Sequence, residues 1–283
     1  MGRTGAHLPD RTEKDAEVER IWRAYLTTGR PPRHVHQVWF ESPLLRPLIR
    51  RLPHDPRCRL CYYPFAGIGG RLAKSMLGVH PSKMNPQLCN VCERFAEKHR
   101  GGAEIEASLR FADVRGSTGL AERMSASEFG RLIDRFYRAA TRALYSHNGL
   151  VEKLIGDEVT GFFVPAFAGR MHARVAVEAG KAILAATGHG RGSGPWIPVG
   201  VGVHTGVAYV GAVVVETSGV DIAVLGDAVN TAARLASLAG IGEMIVSETT
   251  RDAAGLDTTG MEPRHLELKG RAEPVAAWVI STS

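Results

Sequence analysis

The sequence predicts an α/β fold: an α+β sandwich behind a small helical, cysteine-containing N-terminal domain. Three observations carry this. Strand-like and helix-like segments alternate from Glu104 onward, some strand pairs are joined as hairpins, and all four cysteines precede Glu93. A chain of 283 residues is long for one compact unit and comfortable for two. The division expected is residues 1–102 as the helical, cysteine-bearing segment and 103–283 as the sandwich.

Residues 15–28 place Val18, Ile21, Trp22, Tyr25 and Leu26 at helical spacing, then meet Gly29 and Pro31-Pro32, which end the helix. The apolar, arginine-rich stretch 35–52 is broken by Pro43 and Pro47, so two short helices are expected there. Residues 58–92 are rich in Gly and Pro and read as loops pinned by something other than a large core. Within them, Gly67 to Gly70 read as a loop, since they lack the flanking strand and helix of a dinucleotide fingerprint. Residues 94–102 read as a charged linker.

From Glu104 the pattern changes. Ile105, Ala107, Leu109 and Phe111 alternate with polar positions, a strand ending at Asp113. Ser125 and Glu128 form a capping box ahead of an apolar stripe, Phe129, Leu132, Ile133, Phe136, Ala140 and Leu144, so a helix starts there and closes near Asn148-Gly149. Strands 151–155 and 159–163 flank Gly156-Asp157, a hairpin with Asp157 at its tip. A helix over 170–186 follows, then strands over 197–204, 207–215 and 222–225, with a loop near Glu216. Residues 229–238 read as a helix ended by Gly240, and 244–247 as a strand whose Ser247 caps a short helix stopping at Gly255. A last hairpin, 265–268 with 275–280, turns through Gly270. One face of a mixed sheet is expected to be covered by helices.

Composition narrows the class. With 44% hydrophobic and 23% charged residues the chain reads as globular, and no run of about eighteen apolar residues offers a membrane span. The first residues lack an apolar signal core, so a cytoplasmic protein is expected. The net charge of +6 is concentrated at the front: residues 1–102 hold 18 Lys+Arg against 9 Asp+Glu, and the remainder 17 against 20. A solvated arginine-rich surface is the plain reading; it leaves room for peripheral contact with an anionic membrane, and no nucleic-acid partner is expected.

Two aspartates have the placement that phosphoryl-type chemistry asks of its cation ligands. Asp113 ends a strand and Asp157 tips a hairpin, although aspartate is common at such turns for conformational reasons alone. The cysteines form Cys58-x2-Cys61 and Cys89-x2-Cys92, spacing that suits a tetrahedral thiolate cage. Structural zinc is the first reading. An iron–sulfur cluster would use the same four thiolates, reduced thiols or a redox pair remain alternatives, and spacing does not separate them.

Five segments, RFADVRGST, EKLIGDEV, VGVGVHTG, LGDAVNTAARLAS and LELKGRAEPVAAW, occur in the order found in class III adenylate and guanylate cyclases. Residues 104–283 resemble that catalytic domain almost throughout. The resemblance implies a ferredoxin-like class III cyclase domain that converts ATP to cyclic AMP and pyrophosphate with two Mg²⁺ or Mn²⁺ ions. It implies that Asp113, Val114 and Asp157 hold the ions, and that the turn at Gly116, Ser117 and Thr118 offers backbone N–H groups to phosphate. Asn230 would position the ribose, Arg234 would stabilise charge on the α-phosphate, and Lys269, or else Arg271, would meet the terminal phosphates. Lys153 resembles the lysine that reads adenine. The second base-reading position is Ala223, where the family usually has Asp or Thr, and Asp221 lies two positions early; weaker discrimination against GTP is implied. The family draws its metal aspartates and its Asn-Arg pair from opposite subunits, so a homodimer is implied. A catalytically silent nucleotide-binding module and a guanylate-specific or promiscuous cyclase are the alternatives.

Overall fold

The computed structural model describes residues 13–29, 56–58, 60–61, 63–83, 85–215, 219–267 and 274–281. The elements are α1 (Glu13–Thr28), α2 (Gly67–Leu77), α3 (Asn90–Lys98), β1 (Gly101–Val114), α4 (Ser117–Glu122), α5 (Ala126–Ser146), β2 (Leu150–Ile155), β3 (Glu158–Phe163), α6 (Pro165–Ala168), α7 (His172–Ala186), β4 (Val199–Val215), β5 (Gly219–Leu225), α8 (Asp227–Leu238), β6 (Glu243–Ser247), α9 (Glu248–Ala254), β7 (Glu262–Leu266) and β8 (Val275–Ser281). The expected helices in 35–52, the loop at Glu216 and the turn at Gly270 lie outside the described residues. No described helix is long and apolar enough to cross a membrane.

One mixed sheet of eight strands runs β2-β3-β1-β4-β6-β8-β7, and β5 pairs with the far half of β4. Its spine is the antiparallel β1–β4 ladder, in register from Gly101↔Ala212 to Val114↔Val199. That ladder explains a departure from the sequence reading, in which two strands over 197–204 and 207–215 were expected. Gly206 sits opposite Ala107 inside the ladder, and β4 continues through it as one strand.

Alternation along β1 divides the interior. Ile105, Ala107, Leu109 and Phe111 enter a core shared with Trp22, Tyr25 and Leu26 of α1, Phe95 of α3, and Ala228, Ala232 and Ala236 of α8. Ala112 and Val114 point the other way, beneath Ile133 and Phe136 of α5 and Val177 and Ile183 of α7. Helices therefore cover both faces, where one was expected. The capping box forms as the sequence predicts: Glu128 N–H donates to Ser125 Oγ at 3.3 Å and Ser125 N–H donates to Glu128 Oε2 at 2.9 Å.

Two segments expected to be irregular are helical. Gly67 to Gly70, read as a loop, form the first turn of α2, which ends at Gly78 with φ +65°. A Cβ on Gly70 would collide with the backbone of Phe65, so this glycine serves a close approach. Residues 94–98, read as a linker, lie in α3, whose Cys92, Phe95 and Ala96 are buried, and Gly101-Gly102 open β1. Burial against the sheet overrides the charged composition.

The VGVGVHTG segment proves to be a packing device. A Cβ on Gly202 would collide with the backbone at Ala232 and Ala236, so glycine there lets α8 lie directly on β4. His204 and Thr205 belong to a buried polar chain. His204 Nδ1 lies 2.9 Å from Ser247 Oγ, Thr205 Oγ1 2.8 Å from Ser108 Oγ, and Ser108 Oγ 2.9 Å from His172 Nδ1. Beside it, Arg110 is fully buried, and its three guanidinium nitrogens have no hydrogen-bond partner among the described residues.

Gly202→Val is expected to cost about 3 kcal/mol by overpacking the α8–β4 contact, measured by urea unfolding. An unchanged midpoint would show that α8 does not depend on this approach. Burial also lowers the pKa of His172 and of His189. Each is harder to protonate in the fold than in the unfolded chain, which takes up protons below about pH 6.5, so stability is full above that value and falls as pH drops below it. Thermal midpoints from about pH 7.5 to about pH 5.5 should decline, and less steeply in His172→Gln.

Candidate active site

Asp113 sits one residue from the end of β1, paired with Glu158 of β3 and Gly200 of β4. Across the β1–β3 ladder, the Val114 N–H donates to the Asp157 carbonyl at 3.2 Å, so the strand end and the hairpin tip are neighbours. The tip turns at Gly156, φ +59°, a conformation glycine adopts without strain. Tyr137 of α5 anchors it by donating from Oη to the Gly156 carbonyl at 2.7 Å. Burial, and then the charge of Asp157, raise the Tyr137 pKa.

The site is rich in carboxylates. Burial first, then Asp157 and Glu152, push Glu158 above its ordinary value. One cation is already drawn in: the Arg115 guanidinium forms an ion pair with Asp113 and donates through Nη1 to the Ser237 carbonyl of α8 at 2.8 Å. Burial lowers the Arg115 pKa, against the opposing pull of Asp157 and Glu158. Two aspartates on adjacent strand ends, next to the Val114 carbonyl, are the hard oxygen donors that Mg²⁺ and Mn²⁺ prefer, and the capture of Arg115 shows that the spot favours positive charge. The residues fit such a group. Arg115 and Tyr137 were not singled out in the sequence. Tyr137 lies just off the apolar stripe of its helix, and nothing local marks either contact.

After Val114 the chain turns at Gly116, φ +65°, which caps the short α4 beginning at Ser117. Asn230 and Arg234 lie one turn apart on α8, Asn230 exposed and Arg234 half-buried, away from the face formed by Ala228, Thr231, Ala232, Leu235 and Ala236. Among the described residues no hydrogen bond or ion pair joins Asn230 or Arg234 to Asp113 or Asp157 within the chain. Lys153 projects from β2 with Nζ 3.3 Å from Glu152 Oε1. Glu152 is itself buried and accepts from Thr160 Oγ1 at 3.0 Å. Ala223 is buried in β5 opposite Gly211, and β5 runs close to β2. Lys269 and Arg271 lie outside the described residues.

Away from this cleft, Cys58, Cys61, Cys89 and Cys92 bring their sulfurs within 4.8 Å of one another. Cys58 and Cys61 sit on a tight loop closed by the Arg57↔Pro64 bridge and by Cys58 N–H donating to the Tyr63 carbonyl at 3.0 Å. Cys89 is the N-cap of α3 and Cys92 lies in its first turn. Burial pushes Cys58 up, but the thiols of Cys61, Cys89 and Cys92 aimed at it prevail and hold it below its ordinary value; burial pushes Cys61 up. The arrangement gathers four sulfur donors at one point and can hold a thiophilic cation.

Residues 103–282 match the family model described as adenylate and guanylate cyclase catalytic domain. The chain is 25% identical to an adenylate cyclase of Anabaena cylindrica over 182 residues, covering 61% of this chain and 36% of that protein. It is 32% identical to an uncharacterized protein of Rhizobium meliloti over 184 residues, covering 63% of this chain and 18% of the other. The chain therefore spans about a third or less of these relatives. Among solved structures, the adenylyl cyclase CyaB from P. aeruginosa aligns with TM-score 0.54 at 25% identity, over 64% of this chain and 96% of that one. The guanylyl cyclase Cya2 aligns with TM-score 0.57 at 24% identity, over 63% and 93%, a likeness of fold.

Proposed function

The chain belongs to the adenylate and guanylate cyclase catalytic domain family, and we propose that within it the protein is an adenylate cyclase that converts ATP to cyclic AMP and pyrophosphate at a homodimer interface. The observation that carries this reading is the adjacency of Asp113 and Asp157, tied through the Val114 N–H. The catalytic unit is residues 103–283, residues 1–102 form the appended unit, and the setting is cytoplasmic.

In the reaction the ribose 3′-oxygen bonds to the α-phosphorus as the bond from that phosphorus to the bridging oxygen breaks. Pyrophosphate leaves with the electron pair, and the hydroxyl proton is lost to solvent. Asp113, Val114 and Asp157 would hold two divalent cations, which supply activation of the hydroxyl and charge neutralisation on the triphosphate. Gly116, Ser117 and Thr118 approach the phosphates through the backbone. Asn230 and Arg234 of the partner subunit complete the site, the amide orienting the ribose and the guanidinium stabilising charge that grows on the α-phosphate. That these two make no bond to the aspartates of their own chain agrees with such sharing. Lys269 faces the terminal phosphates in this scheme. The four cysteines form a separate thiolate site, where zinc is favoured over an iron–sulfur cluster.

Base choice rests on Lys153, which favours ATP, and a specific observation favours a relaxed second reading. Ala223 is buried and offers no hydrogen bond, so nothing at that position rejects guanine by leaving a polar group unpaired.

With Mg²⁺ or Mn²⁺ present, turnover of ATP should exceed that of GTP, and Asp113→Ala or Asp157→Ala should each reduce it by about 10²-fold or more. No cyclic product from either nucleotide would favour the silent nucleotide-binding module. Ala223→Asp is expected to raise the ATP-to-GTP ratio of kcat/KM by about tenfold, read in parallel assays of the two substrates.

A further inference from the structure

The cysteine cluster is continuous with the strands that carry Lys153 and Ala223. Leu60, inside the first cysteine pair, and Leu88, next to Cys89, are fully buried. Both line a small cavity with Val151 of β2, Phe162 of β3, and Asp221 and Ile222 of β5. Lys153 is two residues from Val151, and Ala223 directly follows Ile222. Hydrogen bonds run the same way. Glu93, adjacent to Cys92, accepts from the Asn85 N–H at 3.2 Å. The Asn85 amide in turn donates to the Val220 carbonyl at 3.0 Å and to Asp221 Oδ1 at 3.4 Å.

The dimensions of the cage suit a single ion. Around a single ion with metal–sulfur bonds of about 2.3 Å, a tetrahedron has edges of about 3.8 Å. Cys61 and Cys89 Sγ are 3.7 Å apart, and all four sulfurs lie within 4.8 Å. In a four-iron cluster each sulfur ligates its own iron at a separate corner, which spreads the thiolates more widely. Two backbone N–H groups point at sulfur, Cys89 to Cys58 at 3.2 Å and Cys92 to Cys89 at 3.3 Å, as donors to thiolates do. Four thiols converging in a buried space, with no cationic side chain bonded to them among the described residues, call for a divalent ion.

We propose that Cys58, Cys61, Cys89 and Cys92 hold one zinc ion, and that this ion clamps Leu60, Leu88 and Asn85 against β2 and β5, so that zinc occupancy sets the affinity of the neighbouring site for nucleotide. The zinc assignment stands on the cage alone. The coupling rests also on the reading of Lys153 and Ala223 as base-reading positions. Without the ion the two cysteine pairs are no longer cross-linked, the two leucines lose their fixed spacing, and β5 loses its brace at Val220 and Asp221. Asp113 and Asp157, on other strand ends, keep their places.

The test uses the full chain. Elemental analysis should find one zinc per chain and neither iron nor acid-labile sulfide, and cobalt exchange should produce the visible bands of a tetrahedral thiolate site. Zinc is then withdrawn with an organomercurial thiol reagent, the reagent is reversed with excess dithiothreitol in the presence of a chelator, and Mg²⁺ is restored. A fluorescent ATP analogue should then bind at least about fivefold more weakly, with recovery when zinc is returned. Asn85→Ala should keep its zinc and still weaken analogue binding, which separates the brace from loss of folding in a cysteine variant such as Cys61→Ser. Iron in place of zinc, with or without labile sulfide, or purified protein without zinc that takes up none, would overturn the metal assignment. Unchanged analogue affinity after zinc removal and in Asn85→Ala would overturn the coupling. Failure to bind ATP or GTP at full zinc would overturn the cyclase reading and the coupling with it, leaving the zinc assignment to its own measurement.

Discussion

The register of β1 against its two neighbours is the constraint on which the rest of the molecule depends. Fourteen residues of β1 pair with β4, and its last six described pairs on the other edge run from Ser108↔Phe163 to Asp113↔Glu158 of β3. A slip of one residue would turn Asp113 from the face of Phe111 and Leu109 to the face packed under α5 and α7. The same ladder orients Gly202 toward α8, so one set of backbone hydrogen bonds places both the carboxylates and the helix bearing Asn230 and Arg234. Because the interior on both faces of β1 is close-packed, the register has little freedom to shift.

Charge is distributed unevenly around that frame. Asp113, Asp157, Glu158 and Glu152 gather near one end of the sheet, and Arg115 answers part of their field while reaching across to the C-terminal turn of α8. Arg115 thereby joins the carboxylate end of β1 to the helix that carries Asn230 and Arg234. On the far side of β1, Arg110 is buried without a bonded partner among the described residues, a costly arrangement in a core that is otherwise apolar and hydroxyl-lined.

The front of the chain is not a loosely attached appendage. Trp22, Tyr25, Phe95 and the buried cysteines share one core with Ile105, Leu109, Val210 and Ile222, and Trp22 Nε1 donates to the His99 carbonyl at 2.7 Å, just ahead of β1. Its small hydrophobic inventory is supplemented by the thiol cluster, the remedy small units adopt when area alone cannot hold them. Its first helix packs on β1, and the thiol cluster meets β5 and β2, away from the ends of β1 and β3 where the aspartates lie.

The sequence by itself determined what depends on neighbours a few residues apart. The Ser125–Glu128 capping box, the apolar stripe of α5, the glycine turn that lifts Asp157 to a hairpin tip, and the cysteine spacing are all short-range patterns, legible because the forces that read them act within one or two turns. The ordered segments resembling the cyclase family added the expected places of Asp113, Asn230 and Arg234. Tertiary structure alone decided the rest. The Gly67–Gly70 stretch and the charged 94–98 stretch became helical because the surfaces they bury belong to distant residues. β4 runs unbroken through Gly206 because β1 pairs along it. Arg115 and Tyr137 joined the site through contacts with Ser237 and Gly156 that no local pattern announces, and the convergence of two cysteine pairs beside β5 followed from packing. Local propensity is worth tenths of a kcal/mol per residue, whereas burial of a side chain is worth about 2 kcal/mol, so where the two disagreed the distant contact prevailed.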